Sequence, residues 1–461
     1  MDITEDRSSE VQELIEARDW ARLRNLVSQW PAQEVAQVLG AVDKPSRVLL
    51  FRLIRRDLAA DTFAYMDAES RDALLKELTD EETRHILAEL TPDDRTEMLS
   101  ELPAQVTRHL LNLLGPEDLA EARNLLGYPE DSVGRLMTPD YVAVRPEWTA
   151  GEAIEHLRKF GRDRETLNVI YVTQKHGLLI GKLELRRLVL ADPQTLIEVL
   201  MDSSVEVIVA DRDREEAVRM VETYDLNVLP VVDTQGLLLG IITVDDILDV
   251  AEEEATEDIQ RMGGMEALDA PYIQVGLFSM VRKRGGWLSA LFLGEMLTAT
   301  AMSFFEHEIA RAVVLALFIP LIISSGGNSG SQAASLVIRA LALQELRLRD
   351  WFRVIRRELA AGLLLGLVLG TIGFCRVVLW QNVRLTNYGP HYLLVGATVA
   401  ASLVGVVMFG TLAGSMLPFL MRRMGFDPAT SSAPFVATLV DVTGLIIYFT
   451  IAQFILRGAL L

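Results

Sequence analysis

The chain has 461 residues, 50% of them hydrophobic and 23% charged, with a formal charge of −20; at about 150 residues per domain this predicts roughly three domains. Charge is unevenly spread: residues 271–461 hold 15 bases and 8 acids, which leaves 29 bases and 56 acids to residues 1–270. So acidic a soluble half excludes nucleic acid as a partner, since phosphate demands the opposite sign, and a single cysteine, Cys375, excludes a disulfide-stapled secreted fold.

Residues 1–136 open on the acidic, polar MDITEDRSSE, which does not read as a secretory signal and predicts a cytoplasmic first half. Short amphipathic helices follow at a spacing of 11–12 residues, over 68–78, 80–90, 92–102 and 103–114, with Leu78, Leu90, Leu102 and Leu114 recurring every twelve residues. Cap and turn residues separate them: Thr79-Asp80, Thr91-Pro92, Leu102-Pro103 and Gly115-Pro116. A small right-handed stack of neighbouring helices is the expected solution. Asp93 and Asp94 stand at a helix start, where capping is the first reading and metal ligation the second.

Residues 137–250 repeat themselves. Met137-Thr138-Pro139-Asp140 parallels Met201-Asp202-Ser203-Ser204, and Gly151-Glu152-Ala153-Ile154 parallels Glu215-Glu216-Ala217-Val218. Asn168-Val169-Ile170-Tyr171-Val172 with Gly181 parallels Asn227-Val228-Leu229-Pro230-Val231 with Gly240. Each copy alternates β-rich runs with an amphipathic helix, an α/β unit. The pattern resembles a tandem pair of CBS domains, most specifically in Leu229-Pro230-Val231-Val232-Asp233 and Gly240-Ile241-Ile242-Thr243-Val244-Asp245-Asp246. Such pairs are regulatory, and some bind adenine nucleotides through a Thr-x-x-Asp after the last strand. The resemblance implies ATP or another adenine nucleotide at Thr243 and Asp246; the first copy has Lys182-Leu183-Glu184-Leu185-Arg186 instead.

From Asp245 to Asp258 run eight acids and no base, among good helix formers without Pro or Gly. Asp246, Asp249 and Glu253 lie at i, i+3 and i+7, so they stack on one side of a helix. Like charges so placed cost roughly 0.2–0.5 kcal/mol per pair. The segment is either a solvated acidic linker or a sensor in which a divalent cation with oxygen ligands relieves the repulsion.

Five spans follow, over 287–305, 312–342, 359–380, 392–420 and 434–456, each meeting the ~20 residues that a bilayer core requires. The second would be about 46 Å long as one helix. It contains Ser324-Ser325-Gly326-Gly327-Asn328-Ser329-Gly330, which predicts a kink, a loosening or an exit from the bilayer there. Basic residues cluster before the first span (Arg282, Lys283, Arg284), between the second and third (Arg347, Arg349, Arg353, Arg356, Arg357) and between the fourth and fifth (Arg422, Arg423). The positive-inside rule then puts the amino terminus in the cytoplasm and the carboxyl terminus outside.

Polar residues within spans are costly and are functional candidates by default. Asp441 lies two turns into the fifth span with no base beside it in sequence; it is a pore acid or an aspartate hydrogen-bonded between helices. Glu295 reads equally as an interhelical hydrogen bond or a permeation group, and Arg376 as a snorkelling side chain. Residues 326–332 either pack helices closely or present carbonyls and the Asn328 and Gln332 amides to a water-filled path.

The whole order resembles the MgtE family of magnesium channels over almost the entire chain. The most specific motifs are Gly326-Gly327-Asn328-Ser329-Gly330-Ser331-Gln332 after Pro320, Ile338-Arg339-Ala340-Leu341-Ala342, Met416-Leu417-Pro418-Phe419 and Pro434-Phe435-Val436-Ala437-Thr438-Leu439-Val440-Asp441-Val442-Thr443-Gly444-Leu445. The resemblance implies a multidomain fold: an all-α superhelical N-terminal domain over 1–136, an α/β tandem CBS pair over 137–250, a long connecting (plug) helix over 245–270, and an α-helical transmembrane pore domain with five spans over 271–461. It implies a homodimer embedded in the cell membrane, not an enzyme, that passes Mg2+ inward and closes when cytosolic Mg2+ is high.

By those motifs Asp441 would be the pore carboxylate that recognises hydrated Mg2+, with Ala437 one turn before it and Asn328 on the second span. Regulatory Mg2+ would be held by Asp246, Asp249, Glu254, Glu257 and Asp258 of the plug helix, Glu215 and Asp225 of the second CBS copy, Asp427 of a cytoplasmic loop and Asp94 of the array. Ala433 stands before Pro434, where the family's better-known sequences often carry Asn. Two other classes stay open: a cation-coupled exchanger, as in eukaryotic solute-carrier relatives, and a non-conducting membrane sensor.

Overall fold

Short helices come first along the chain, most of them stopped within about three turns by a cap or a proline. They run Ile3–Glu16, Trp20–Val27, Ala32–Ala41, Lys44–Leu53, Arg56–Ala64, Ala68–Leu75, Asp80–Glu89, Pro92–Glu101, Ala104–Leu111 and Pro116–Leu126. The computed structural model describes residues 3–102, 104–162, 164–268, 272–273 and 275–457; Pro103, which opens the fourth expected segment, lies outside them. Thr79 and Glu82 close a capping box: the Thr79 N–H donates to Glu82 Oε2 at 2.8 Å and the Glu82 N–H donates to Thr79 Oγ1 at 3.3 Å. Pro92 and Pro116 open their helices, where the missing N–H costs nothing. Asp93 and Asp94 are not caps: Thr91 takes that position and the two acids fill the first turn.

The twelve-residue leucines face one core, with Leu90 and Leu114 buried and Leu78 and Leu102 packed against it. A second period runs through the same array. Arg47, Arg71 and Arg95 recur every 24 residues, two helices apart, and all are buried. Arg47 Nε donates to the Leu39 carbonyl at 2.8 Å and Arg95 Nη1 to the Leu87 carbonyl at 3.1 Å, each eight residues back. Arg71 reaches Glu101 at 2.5 Å and Arg95 reaches Glu121 at 2.6 Å. Arg47 and Arg95 thereby satisfy carbonyls at helix ends that the short helices leave open.

The repeat becomes two three-stranded sheets. Strands β1 (Ala143–Val144), β2 (Val169–Thr173) and β3 (Leu179–Glu184) form one, and β4 (Ile208–Val209), β5 (Val228–Val232) and β6 (Leu238–Thr243) the other. In each, the first strand pairs parallel and the third antiparallel to the middle one, and each middle strand is bulged near its end. The copies exchange their leading segments. Thr138 pairs with Ile241 of β6 and Asp202 pairs with Lys182 of β3. Gly240 and Gly181 make the room: a Cβ would lie 2.7 Å from the Thr138 carbonyl oxygen at the first and 3.0 Å from Asp202 O at the second. That contact explains why Met137 and Met201 and the two glycines recur together in sequence.

The chain forms two compact units, Met1–Glu253 and Glu254–Leu461, and the acidic helix Val244–Met262 carries it from one into the other. Among its described residues the second unit holds five helices long and apolar enough to cross a membrane: Leu277–Phe304, Val313–Ala342, Leu348–Asn382, Tyr392–Arg423 and Ala433–Leu456. The break expected at 324–330 is not there. The helix Ile319–Ala342 runs unbroken through it, and the chain breaks earlier, at Ala312 and after the short turn Val313–Ala316. The reason is close packing: a Cβ at Gly410 would lie 2.4 Å from the Gly326 carbonyl oxygen, and one at Gly414 only 2.0 Å from that of Gly330. Helices with small residues at i and i+4 approach to backbone contact, which holds this stretch helical. Tyr448 Oη donates to the Leu315 carbonyl at 2.8 Å, satisfying an acceptor at the earlier break.

Candidate functional site

In the second unit the fifth span starts at Ala433, with the Ser432 hydroxyl accepting from the Phe435 N–H at 3.4 Å and Pro434 in the first turn. Ser331 Oγ of the second span donates to the Ala433 carbonyl at 3.2 Å, so a contact with the second span is made there through backbone. Two turns on, Asp441 is half-buried. Ala437 and Asp441 share a face, and both meet Gly327, where a Cβ would lie 3.5 Å from Ala437 Cβ and 3.9 Å from Asp441 Oδ1. Asn328 follows. Ser324, Asn328 and Gln332, at i, i+4 and i+8, form a polar stripe left exposed among the described residues; Asn328 Nδ2 donates to Ser324 Oγ at 3.5 Å.

Span one completes this site. Gly294 abuts the fifth span, a Cβ there falling 2.8 Å from Thr438 Cγ2, and the neighbouring Glu295 lies near enough to the Asp441 carboxyl for the two acids to interact. Among the described residues no Lys or Arg pairs with either acid. Arg376 lies elsewhere, 5.9 Å from the Phe318 ring and 5.4 Å from the Trp380 ring, where aromatic faces stabilise its charge.

The first unit gathers a second set of acids. Thr243 Oγ1 donates to Asp246 Oδ2 at 2.6 Å and the Thr243 N–H to the same oxygen at 3.2 Å, so Asp246 caps its own helix. Burial pushes Asp246 up to about 6, with Asp245 and Asp94 adding repulsion. Burial likewise pushes Glu97 and Glu165 up to about 7; Glu101 adds to the first, and Asp246 and Asp245 to the second. Asp93 is likewise raised well above its ordinary value by burial and by Asp246, and its Oδ1 is buried without a partner. Asp94 and Asp249 are raised mainly by burial. Glu97 was legible in principle, since Asp94, Glu97 and Glu101 share one helical face at i, i+3 and i+7. Glu165 sits in a loop and carries no pattern that would mark it.

The other expected regulatory acids are placed differently. Glu215 pairs with Arg219. Asp225 ends the helix Arg214–Tyr224 in the left-handed conformation, φ 50°, which a short polar side chain tolerates. Glu254, Glu257 and Asp258 are half-buried on the acidic helix, and Arg261 bridges Glu257 and Asp427. Among the described residues no three His, Cys, Asp or Glu side chains converge as a ready metal-ligand set.

Known proteins share this arrangement. The sequence model of the MgtE family, a divalent cation transporter, matches residues 319–451; those of the MgtE intracellular N domain and the CBS domain match 30–131, and 133–192 with 197–253. The magnesium transporter MgtE of Thermus thermophilus is 45% identical over 339 residues, 74% of this chain and 73% of that protein. The chain belongs to the MgtE family. The magnesium transporter MgtE of Bacillus subtilis is 33% identical over 71% of this chain and 70% of its own. A crystal structure of the cytosolic domain of the Mg2+ channel MgtE in complex with ATP is 36% identical, with a TM-score of 0.51, and covers 53% of this chain and 99% of its own. MgtE membership makes the five apolar helices the spans of a multi-pass membrane protein with its N-terminal domains on the cytosolic side. The family is one of transporters, which is not a class of enzyme.

Proposed function

We propose that the chain is a Mg2+ channel of the cell membrane, working as a homodimer with its carboxyl terminus outside, and dividing into array (1–136), CBS pair (137–250), plug helix (245–270) and pore domain (271–461). The observation that carries this reading is Asp441: a half-buried carboxylate on a membrane span, unpaired by any base among the described residues, next to the uncovered stripe of Ser324, Asn328 and Gln332. A polar stripe facing lipid is costly, so it faces water or a second copy. Mg2+ gives up its hydration water reluctantly; Asp441, with the small Ala437 and Gly327 beside it, leaves space to recognise the ion still hydrated. A divalent charge moving inward through 100 mV gains roughly 4.6 kcal/mol, so no other energy source is needed.

Closure by cytosolic Mg2+ follows from the second set of acids. The orphaned Asp93 Oδ1 and the mutual repulsion of Asp94, Glu97, Glu165 and Asp246 fit a hard divalent cation, which takes oxygen ligands. Asp249, Glu215 and Asp225 in the first unit, and Glu254, Glu257, Asp258 and Asp427 in the second, are the further acids we assign to regulatory Mg2+. Ions that bind the closed form better populate it, giving negative feedback. The Thr243–Asp246 pair marks the place for an adenine nucleotide, a reading supported by the ATP complex of the related cytosolic domain.

The test is flux into proteoliposomes. Asp441→Ala should abolish selective Mg2+ uptake, and unchanged uptake rejects the pore assignment. Neutralising Asp246, Asp249, Glu254 and Asp258 together should leave a pore that stays open in millimolar Mg2+; currents that still shut off reject the sensor. Flux that requires a Na+ or H+ gradient would replace the channel with an exchanger.

A further inference from the structure

We propose that Arg261 is a built-in cation that latches the end of the acidic helix to the loop between spans four and five, and thereby sets how much Mg2+ closure requires. This deepens the gating reading above and rests on it. Arg261 is the one base in the helix Val244–Met262. It pairs with Glu257 one turn back and with Asp427 in the loop. Asp427 is fully engaged: Oδ2 takes Arg261 while Oδ1 accepts the Ala429 N–H at 2.8 Å and holds the turn Pro428–Thr430.

The helix end around Arg261 is fitted to the membrane unit. Met262 packs against the membrane core. Gly264 has φ +74°, and a Cβ there would lie 2.8 Å from the Trp287 ring and 3.3 Å from Pro434 Cγ, so only glycine lets the chain pass. The Leu268 N–H donates to Gln260 Oε1 at 2.6 Å and the Glu266 N–H to the Lys283 carbonyl at 3.2 Å. The latch therefore sits beside the first turn of the span that carries Asp441.

Two acids expected to share Mg2+ are thus already bridged by a guanidinium that is present at every Mg2+ concentration. The tethered charge does part of the ion's work, and the remaining acids need Mg2+ only to complete closure. Without it, Glu257 and Asp427 repel and the helix end is held only by packing and the hydrogen bonds at Gln260 and Glu266.

The experiment records single channels from the purified full chain with Mg2+ varied on the cytoplasmic face. R261Q should raise open probability in Mg2+-free solution and move the half-closing Mg2+ concentration up about three- to tenfold, the scale of two partly exposed ion pairs. Unitary conductance should not change, and R261K should restore most of the shift. A midpoint equal to wild type in R261Q, or identical behaviour of R261K and R261Q, overturns the latch. Should R261Q fail to fold, R261M replaces it, since it keeps an aliphatic stem of similar reach and loses only the charge and its donors. Wild-type channels that Mg2+ does not close would reject the gating reading itself; wild-type closure with an unmoved variant rejects only Arg261.

Discussion

The two units treat a carboxylate in opposite ways. In the cytosolic unit acids are buried in company: Asp93, Glu97, Glu165 and Asp246 are all pushed up by burial and by neighbouring acids. In the membrane unit acids are few and several are matched to donors: Glu308 accepts from Gln453 at 2.8 Å, Asp350 holds Arg353 at 3.1 Å and Asp427 holds Arg261. Asp441, by contrast, has no base beside it among the described residues and only Glu295 near. A crowd stores repulsion that only a mobile cation relieves, whereas a lone acid directs its field at one place. Packing diverges as well. The array buries Leu, Val and Phe because water drives them together, while the spans meet through glycine because lipid supplies no such drive.

The packing half of that contrast breaks most visibly at Gly414. A side chain there meets the Gly330 backbone, which has no rotamer to yield. Gly414→Val should cost about 3 kcal/mol or more and remove the folded membrane unit in detergent, read by gel filtration, while the cytosolic helices keep their circular dichroism. A monodisperse variant with wild-type flux would show that the spans tolerate separation.

Arg95→Met tests the charge half from the cytosolic side. Arg95 is 2% exposed and serves the Leu87 carbonyl, Asp118 and Glu121. Removing it strands two acids that are one-third exposed and partly rehydrate, so the loss should be about 2–3 kcal/mol, at or below the range for a fully buried pair. Scanning calorimetry of the full chain would show the cytosolic transition lowered and the membrane transition unmoved. An equal fall in both would erase the distinction between the units.

The smallest effect is on pH. Glu97 and Glu165 titrate near 7 and Asp246 near 6 in the fold, above their ordinary carboxylate values, so the folded form binds more protons between the two. Below the ordinary range there is no penalty; as pH rises through about 6–7 the charges appear and stability falls. In chelator the cytosolic transition should therefore melt a few degrees lower at pH 8 than at pH 6. Saturating Mg2+ should close that gap, and a gap indifferent to Mg2+ would mean that the crowd does not bind the ion.

Local pattern determined much of this protein by itself. Hydropathy marks five spans because ~20 apolar residues have no other stable setting than a bilayer. The Met137/Met201 and Gly181/Gly240 repeats mark two equivalent α/β units, and the acid run before the membrane needs only counting. The stripe Gly362, Gly366 and Gly370 was equally legible as a close-packing face, and the structure sets it on Met408, Val404 and Ala400. Tertiary structure alone decided which distant groups come near enough to act on one another: Glu295 on Asp441, Asp246 on Glu165, and Arg261 paired with Asp427. It also decided that 324–330 stays helical, because Gly410 and Gly414 lie against it. Periodicity reports the face a residue shares with its own helix, and a partner on another helix leaves no mark in that spacing.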